Sequence, residues 1–329
     1  MALTGRIADP LSRANPYRIG QDGHVRILPG PGGIVFNFRV GDRCVGLAAD
    51  HVEPGVAIRN YRTLPDNRDG ANQALQTFAC IGNTARVIEG PCAGATGVVT
   101  GKHGGIDHVL IDFPSATLKR LRIGDRIQVN GYGVGMRFPD HPEVTVSNLS
   151  VRLARAWGLR ADSSRLRVPV THVIPAAVMG SGVGRNNAVR GDQDIQLFDA
   201  DVVRRFRLDR LRFGDLVAIA GADHRYGRAF NGRCMTFGIV IHSDSTVSGH
   251  GPGVTTLLTG DARRLIPQFD ANANIAGLLG LRALPAARPY RSLIQSQRQR
   301  EALRCACGRT QPALRAAAVD ARTDAAPTA

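Results

Sequence analysis

Along residues 1–281, apolar positions fall in short runs rich in Val, Ile and Leu, each closed by glycine, as in GIVFNFRVGDRCVGLAA, GVVTGKHGGIDHVLIDF and DRIQVNGYGVGM. This texture fits strands joined by tight turns and leaves little room for helix. The expected fold is mainly β, with two or three small β-barrel or SH3-like domains, few short helices, and a C-terminal tail that is disordered or helical. The expected divisions are an N-terminal β domain over 1–90, an SH3-like barrel over 91–146, a β-rich domain over 147–282 and an Arg/Ala-rich tail over 283–329. Helices are expected over 148–160 (NLSVRLARAWGLR, capped by Asn or Ser and ended by Gly158) and over 296–308 (SQRQREALRCACG) in the tail.

One pattern recurs. LRIGDRIQVNGYGVG (121–135) and LRFGDLVAIAGADHRYG (211–227) share an apolar-Gly-Asp step followed by alternating apolar residues, and FRVGDRCVGLA (38–48) is a shorter version. The physical reading is a Gly-Asp turn that feeds a strand and whose carboxylate accepts local backbone N–H groups.

Composition narrows the function classes. Aromatics are only 5% of the chain, with Trp157 the single tryptophan, fewer than a base-stacking surface normally uses. The net charge of +15 points towards a polyanionic partner, yet residues 282–329 hold nine arginines against Glu301, Asp320 and Asp324, so part of the excess belongs to the tail. Among 42 basic residues only Lys102 and Lys119 are lysine. No run of eighteen apolar residues occurs, and the start MALTGRIADPLSR lacks a basic region followed by an apolar core. A cytoplasmic protein without a membrane partner is expected, with self-association left open. Cys44, Cys80, Cys92, Cys234, Cys305 and Cys307 are scattered and expected to be reduced, mostly buried thiols.

Four stretches can carry chemistry. In AADHVEPGVAIRN (48–60), strand alternation would set His51 and Glu53 on one face, where either can serve as a base; a plain polar loop is the alternative. In GATGVVTGKHGGIDHVLIDF (94–113), Lys102 and His103 precede a Gly-Gly turn and are candidate substrate contacts. In THVIPAAVMGSGVGRNNAVRGDQDIQ (171–196), the glycine loop beside Ser181, Arg185 and Arg190 has the ingredients of an anion nest, although neither a dinucleotide fingerprint nor a P-loop is present. In GIVIHSDSTVSGHGPGVTTLLTG (238–260), a strand ends at His242 and a loop carries Asp244 and His250. These three can converge on one divalent metal, zinc or manganese, or act as acid/base groups; equally, Ser243, Ser245 and Ser248 can hold an anion. Just upstream, GADHRYGRAFNGRCM (221–235) is expected to turn at Asn231-Gly232, bringing Arg228 and its neighbours to the same side.

Residues 94–113, with Gly97, Val98, Val99, the Gly104-Gly105 turn and HVLIDF, resemble the KOW ribbon of ribosomal and transcription-elongation proteins, which implies RNA or protein binding through loops. LPGPGGIVFNFRVGDRCVGLAADHVEPGVAIRN together with GIVIHSDSTVSGHGPGVTTLLTG resembles an uncharacterised bacterial family known only as a domain of unknown function, over about residues 20–280. That resemblance implies a multi-domain β-barrel architecture and no reaction. The expected function is an enzyme acting on a small anionic metabolite, by metal-assisted hydrolysis or elimination, with His51, Glu53, His242, Asp244 and His250 as catalytic candidates. The alternative is an RNA- or ribosome-associated binding protein.

Overall fold

The structure, a computed structural model, describes residues 1–12, 15–62 and 69–284. The helix expected over 296–308, Cys305 and Cys307 lie outside the described residues. The chain is mainly β. Its first strands are β1 (Ala2–Ile7), β2 (Arg18–Ile19), β3 (Val25–Arg26), β4 (Ile34–Val35), β5 (Gly55–Arg59), β6 (Thr84–Val87), β7 (Thr96–His103), β8 (His108–Asp112) and β9 (Arg126–Asn130). There follow β10 (Thr145–Val146), β11 (Arg160–Ala161), β12 (Leu166–Val170), β13 (His172–Pro175), β14 (Gln193–Asp194), β15 (Leu216–Asp223), β16 (Ala229–Val240), β17 (Gly253–Asp261) and β18 (Leu265–Phe269). The longest helices are α1 (Gly70–Phe78), α2 (Ser115–Leu118), α3 (Val151–Ala156), α4 (Ala200–Phe206) and α5 (Ile275–Leu278).

A seven-stranded sheet runs in the order β1-β9-β6-β7-β8-β5-β4, and β1 also pairs with β5, so the pairings return to β1 through six strands. β6 pairs with β7 and β9, and β5 with β8, so strands from both sides of residue 90 share this sheet. A second sheet runs β10-β17-β16-β15-β13, with β14 paired to β17. The two sheets meet where β7 faces β17. Lys102 N donates to Thr255 Oγ1 at 3.3 Å, and that hydroxyl donates back to Lys102 O at 3.0 Å. Seven of the eight residues of β7 are buried, because this strand is covered on both faces. Val99, Leu110 and Ile111 of the first sheet share one apolar core with Phe237, Ile239 and Leu257 of the second.

The recurrent Gly-Asp step is the same turn three times. Asp42, Asp125 and Asp215 each donate their backbone N–H to the carbonyl three residues back (3.1 Å each), and each carboxylate accepts the N–H of that residue, Arg39, Arg122 or Arg212, at 2.9, 2.9 and 3.0 Å. Gly41, Gly124 and Gly214 have φ of 94°, 87° and 80°, the left-handed region that glycine enters without steric cost. Two of the turns also pair with each other: Gly41 N donates to Phe213 O at 2.7 Å and Phe213 N to Asp42 O at 2.9 Å.

The helix expected over 148–160 forms as α3, its N-terminus capped by Ser150 Oγ, which accepts from Leu153 N at 3.1 Å. The hairpin expected to turn at Asn231-Gly232 turns instead over residues 224–228. Asn231 and Gly232 lie inside β16, beside the register shift opposite Ala220–Ala222, and Asn231 Nδ2 donates to Asp223 Oδ2 at 3.3 Å. Cys44, Cys80, Cys92 and Cys234 are free and buried. Among the described residues no helix is long and apolar enough to cross a membrane.

Candidate metal centre

Five of the nine histidines gather where the two sheets meet. The β7–β8 hairpin pairs His103 with His108 across its turn. His242 follows β16 by two residues, and His250 sits in the glycine-rich loop before β17. His51 lies in the segment leading to β5 and has a φ of 60°, which breaks the strand alternation that would have set it beside Glu53. Asp192 and Asp194 flank Gln193, and their spacing of two sends both side chains to the same face.

These groups form two triads whose ligand atoms lie within 4.8 Å of one another: His51, Asp194 and His250 in one, His103, Asp192 and His242 in the other. In the first, His51 Nε2 is 3.1 Å from His250 Nδ1 and 3.3 Å from Asp194 Oδ2, and His250 Nδ1 is 3.0 Å from that same oxygen. In the second, His242 Nε2 is 2.9 Å from Asp192 Oδ2. Both atoms are buried, yet neither has a hydrogen-bond partner, so they are near each other without the angle a hydrogen bond needs. The rings are close: His103 and His242 have centroids 4.3 Å apart, and His51 and His242 4.9 Å.

An outer layer fixes each ring. Asp50 Oδ1 accepts from His51 Nδ1 at 2.7 Å and from Ser245 Oγ at 2.7 Å, while its other oxygen is paired with Arg18. Glu53 Oε1 accepts from His103 Nδ1 at 2.7 Å; His108 Nδ1 and Gly32 N complete its shell at 3.0 and 2.7 Å from Oε2. His242 Nδ1 donates to Ser243 O at 2.8 Å. His51, His103 and His242 thus commit Nδ1 outward and turn Nε2 to the centre, the arrangement usual for metal-ligating histidine. Glycine makes the room, since a Cβ on Gly253 would collide with Asp192 Oδ2 and His242 Nε2, and one on Gly251 would collide with Ile195 O.

The electrostatics favour a cation. Burial opposes charge on His242, but Asp192 and Asp194 outweigh it and raise the imidazolium well above its ordinary value. Burial likewise works to raise Asp194, and its contacts with His242, His250 and His51 overcome it, holding the carboxyl far below the usual range. Glu53 is held low in the same way by His108 and His103.

Sequence-predicted residues divide by position. His51, His103, His242 and His250 meet in the centre, and Glu53 stands one layer behind. Asp244 lies outside both triads: its Oδ2 accepts from Gly46 N at 2.7 Å, and its carbonyl from His51 N at 3.2 Å, so the loop's turn draws it away from the ligand set. Ser243 Oγ accepts from Val52 N at 2.9 Å and donates to Asp244 O at 3.1 Å, a buried tie between segments. Lys102 is wholly buried rather than displayed on a ribbon loop. Its ammonium donates to Asn148 Oδ1, Val189 O and Thr77 O at 2.7, 3.0 and 3.4 Å, and burial lowers its pKa to about 7. Arg228 donates to Arg190 O at 2.6 Å and Gly182 O at 3.3 Å, pinning the 182–190 loop. Ser181 and Arg185 are exposed and Arg190 is half-buried. Sequence reasoning missed Asp192 and Asp194, whose signal was the Asp-x-Asp alternation after the glycine loop, and His108, whose signal was its place across the hairpin from His103.

A model of the N-terminal domain of unknown function DUF4438 matches residues 17–155, and one of its C-terminal domain matches 156–279. The centre draws on both, with His51 and His103 from the first and Asp192, Asp194, His242 and His250 from the second. The chain is similar to the crystal structure of TM1086, with 37% identity, a TM-score of 0.78, and coverage of 84% of this chain and 94% of that one. No curated protein matches it. The chain belongs to the DUF4438 family, an uncharacterised family of two domains.

Proposed function

We propose that this chain is a metal-dependent enzyme acting on a small anionic metabolite, by hydrolysis or by proton abstraction and elimination. The observation that carries this reading is the unpartnered pair His242 Nε2 and Asp192 Oδ2, buried 2.9 Å apart at the focus of four histidines and two aspartates. Imidazole and carboxylate donors suit zinc or manganese, and such an ion supplies Lewis acidity and a more acidic water.

The chain's own groups do the positioning. Asp50 and Glu53 hold His51 and His103 in the tautomer that turns Nε2 inward. The His250 side chain, 37% exposed against 0% for His242, lies where a proton can pass between the centre and solvent. Lys102, the cation of the 94–113 hairpin, is enclosed and hydrogen-bonded to uncharged acceptors, which favours this reading over an RNA contact at that hairpin. The test is turnover of small phosphate esters, carboxylate esters and hydroxy acids by the metal-loaded chain. Turnover abolished by a chelator and by His242→Ala supports the reading; a loaded protein that neither turns over nor binds any of these anions contradicts it.

A further inference from the structure

The two triads raise the question of how many cations the centre holds. We infer that it holds two divalent cations, one on His51, His250 and Asp194 and one on His103, His242 and Asp192, with the Asp194 carboxylate reaching between them. This rests on the metal-dependent reading above and deepens it.

Proton accounting carries the inference. Asp50 Oδ1 also accepts from Ser245 Oγ, so the 2.7 Å contact with His51 must use a proton on His51 Nδ1. Nε2 is then the nitrogen left to a cation, and it lies beside Asp194 Oδ2 and His250 Nδ1. His51 Nε2, His250 Nδ1 and Asp194 Oδ2 are three lone-pair donors within 3.3 Å of one another, a set that one cation can occupy in place of protons. The other triad is built the same way. Ser243 O can only accept, so His242 Nδ1 is the donor there and Nε2 is the nitrogen left to a cation. The 2.7 Å bond to Glu53 likewise leaves His103 Nε2 to a cation, and Asp192 Oδ2 has no hydrogen-bond partner. Each triad is therefore a separate set of lone pairs aimed inward, two imidazoles and one carboxylate, a donor set that binds one first-row cation and leaves positions open.

Asp194 links the sets. Its Oδ2 lies 3.0 Å from His250 Nδ1, and its Oδ1 lies 3.6 Å from His242 Nε2 in the other triad. A carboxylate whose oxygens face different ligand sets suits a pair of cations about 3.5–4 Å apart, the spacing that clamps an attacking and a leaving oxygen. Charge agrees. Asp50, Glu53, Asp192 and Asp194 are all buried, and among the described residues Arg18 is the only arginine or lysine in ion-pair contact with any of them. Four carboxylates against one guanidinium leave an excess of negative charge that cations at the centre offset. The ligand such a centre takes is an anionic oxygen group able to span both ions, such as a phosphate or carboxylate.

Mn²⁺ titration of the chelator-stripped full chain, read by electron paramagnetic resonance, tests this. Two equivalents per chain with a spin-coupled signal are expected, and His103→Ala and His250→Ala should each reduce the count to one, with circular dichroism checking that the variants fold. One equivalent in the wild-type chain overturns the two-cation inference and leaves the metal-dependent reading standing; none overturns both. Two equivalents retained in both folded variants also overturn the inference, because the ions would then lie elsewhere.

Discussion

His242 Nε2 and Asp192 Oδ2 lie 2.9 Å apart in the interior, one from the end of a long strand and one from the edge of a glycine loop, and neither has a hydrogen-bond partner. Two buried polar atoms so placed cost folding free energy unless something between them satisfies both. Asp192→Asn keeps the shape and removes the charge. It is expected to weaken Mn²⁺ or Zn²⁺ binding by more than the about 10–100-fold typical of an outer-shell partner, as measured by titration calorimetry, with little change in secondary structure.

Glu53 supplies the contrasting case. It touches no centre-facing atom and acts by orienting His103 and His108. Glu53→Gln should therefore weaken metal binding by about 10–100-fold without abolishing it, and a fluorescent-chelator competition assay separates that outcome from the near-complete loss expected for His242→Ala.

Gly253 opens the space in which the His242–Asp192 pair sits. Gly253→Ala would place a methyl group on both atoms. The variant is expected to fold and to lose about 10–100-fold in metal affinity, comparable to loss of an outer-shell group. Unchanged affinity would show that the pair is not where the cation binds.

Lys102 predicts a pH dependence of stability. Burial lowers its folded pKa to about 7, while in the unfolded chain a lysine titrates near 10.4. Between these values the unfolded chain binds a proton that the folded chain does not, so this group's contribution makes stability rise with pH, by up to about 1.4 kcal/mol per unit. That contribution is complete above the unfolded value and lost as pH falls to about 7. Urea unfolding of metal-free wild type and Lys102→Met from pH 7 to 10 should show the rise in the wild type relative to the variant. At pH 10 the variant should be less stable by about 1–3 kcal/mol, because Asn148 Oδ1 and Val189 O lose their donor.

Local features were legible in the sequence because neighbours along the chain decide them. The Gly-Asp turns needed only a glycine and the carboxylate after it, and the cap of α3 only Ser150 before an apolar run. The histidines stood out at strand ends beside glycine, and four of them meet. What local pattern does not decide is which distant segments touch. Asp194 contacts His51 and His250 across 143 and 56 positions, and nothing in the residues beside it signals those partners. Lys102, Arg228 and Ser243 are polar residues whose roles turn on burial, which position in the tertiary fold decides: each ties backbone segments together. Asp244 sits inside the motif that contains His242, yet the loop's turn directs its carboxylate to Gly46.

The most direct measurement is anomalous X-ray scattering from crystals of the full chain grown with Zn²⁺ or Mn²⁺, collected at the metal's absorption edge. A peak about 2.0–2.2 Å from both His242 Nε2 and Asp192 Oδ2 is the predicted result. Density without a peak, with His242 and Asp192 rotated into an ordinary hydrogen bond, would contradict it.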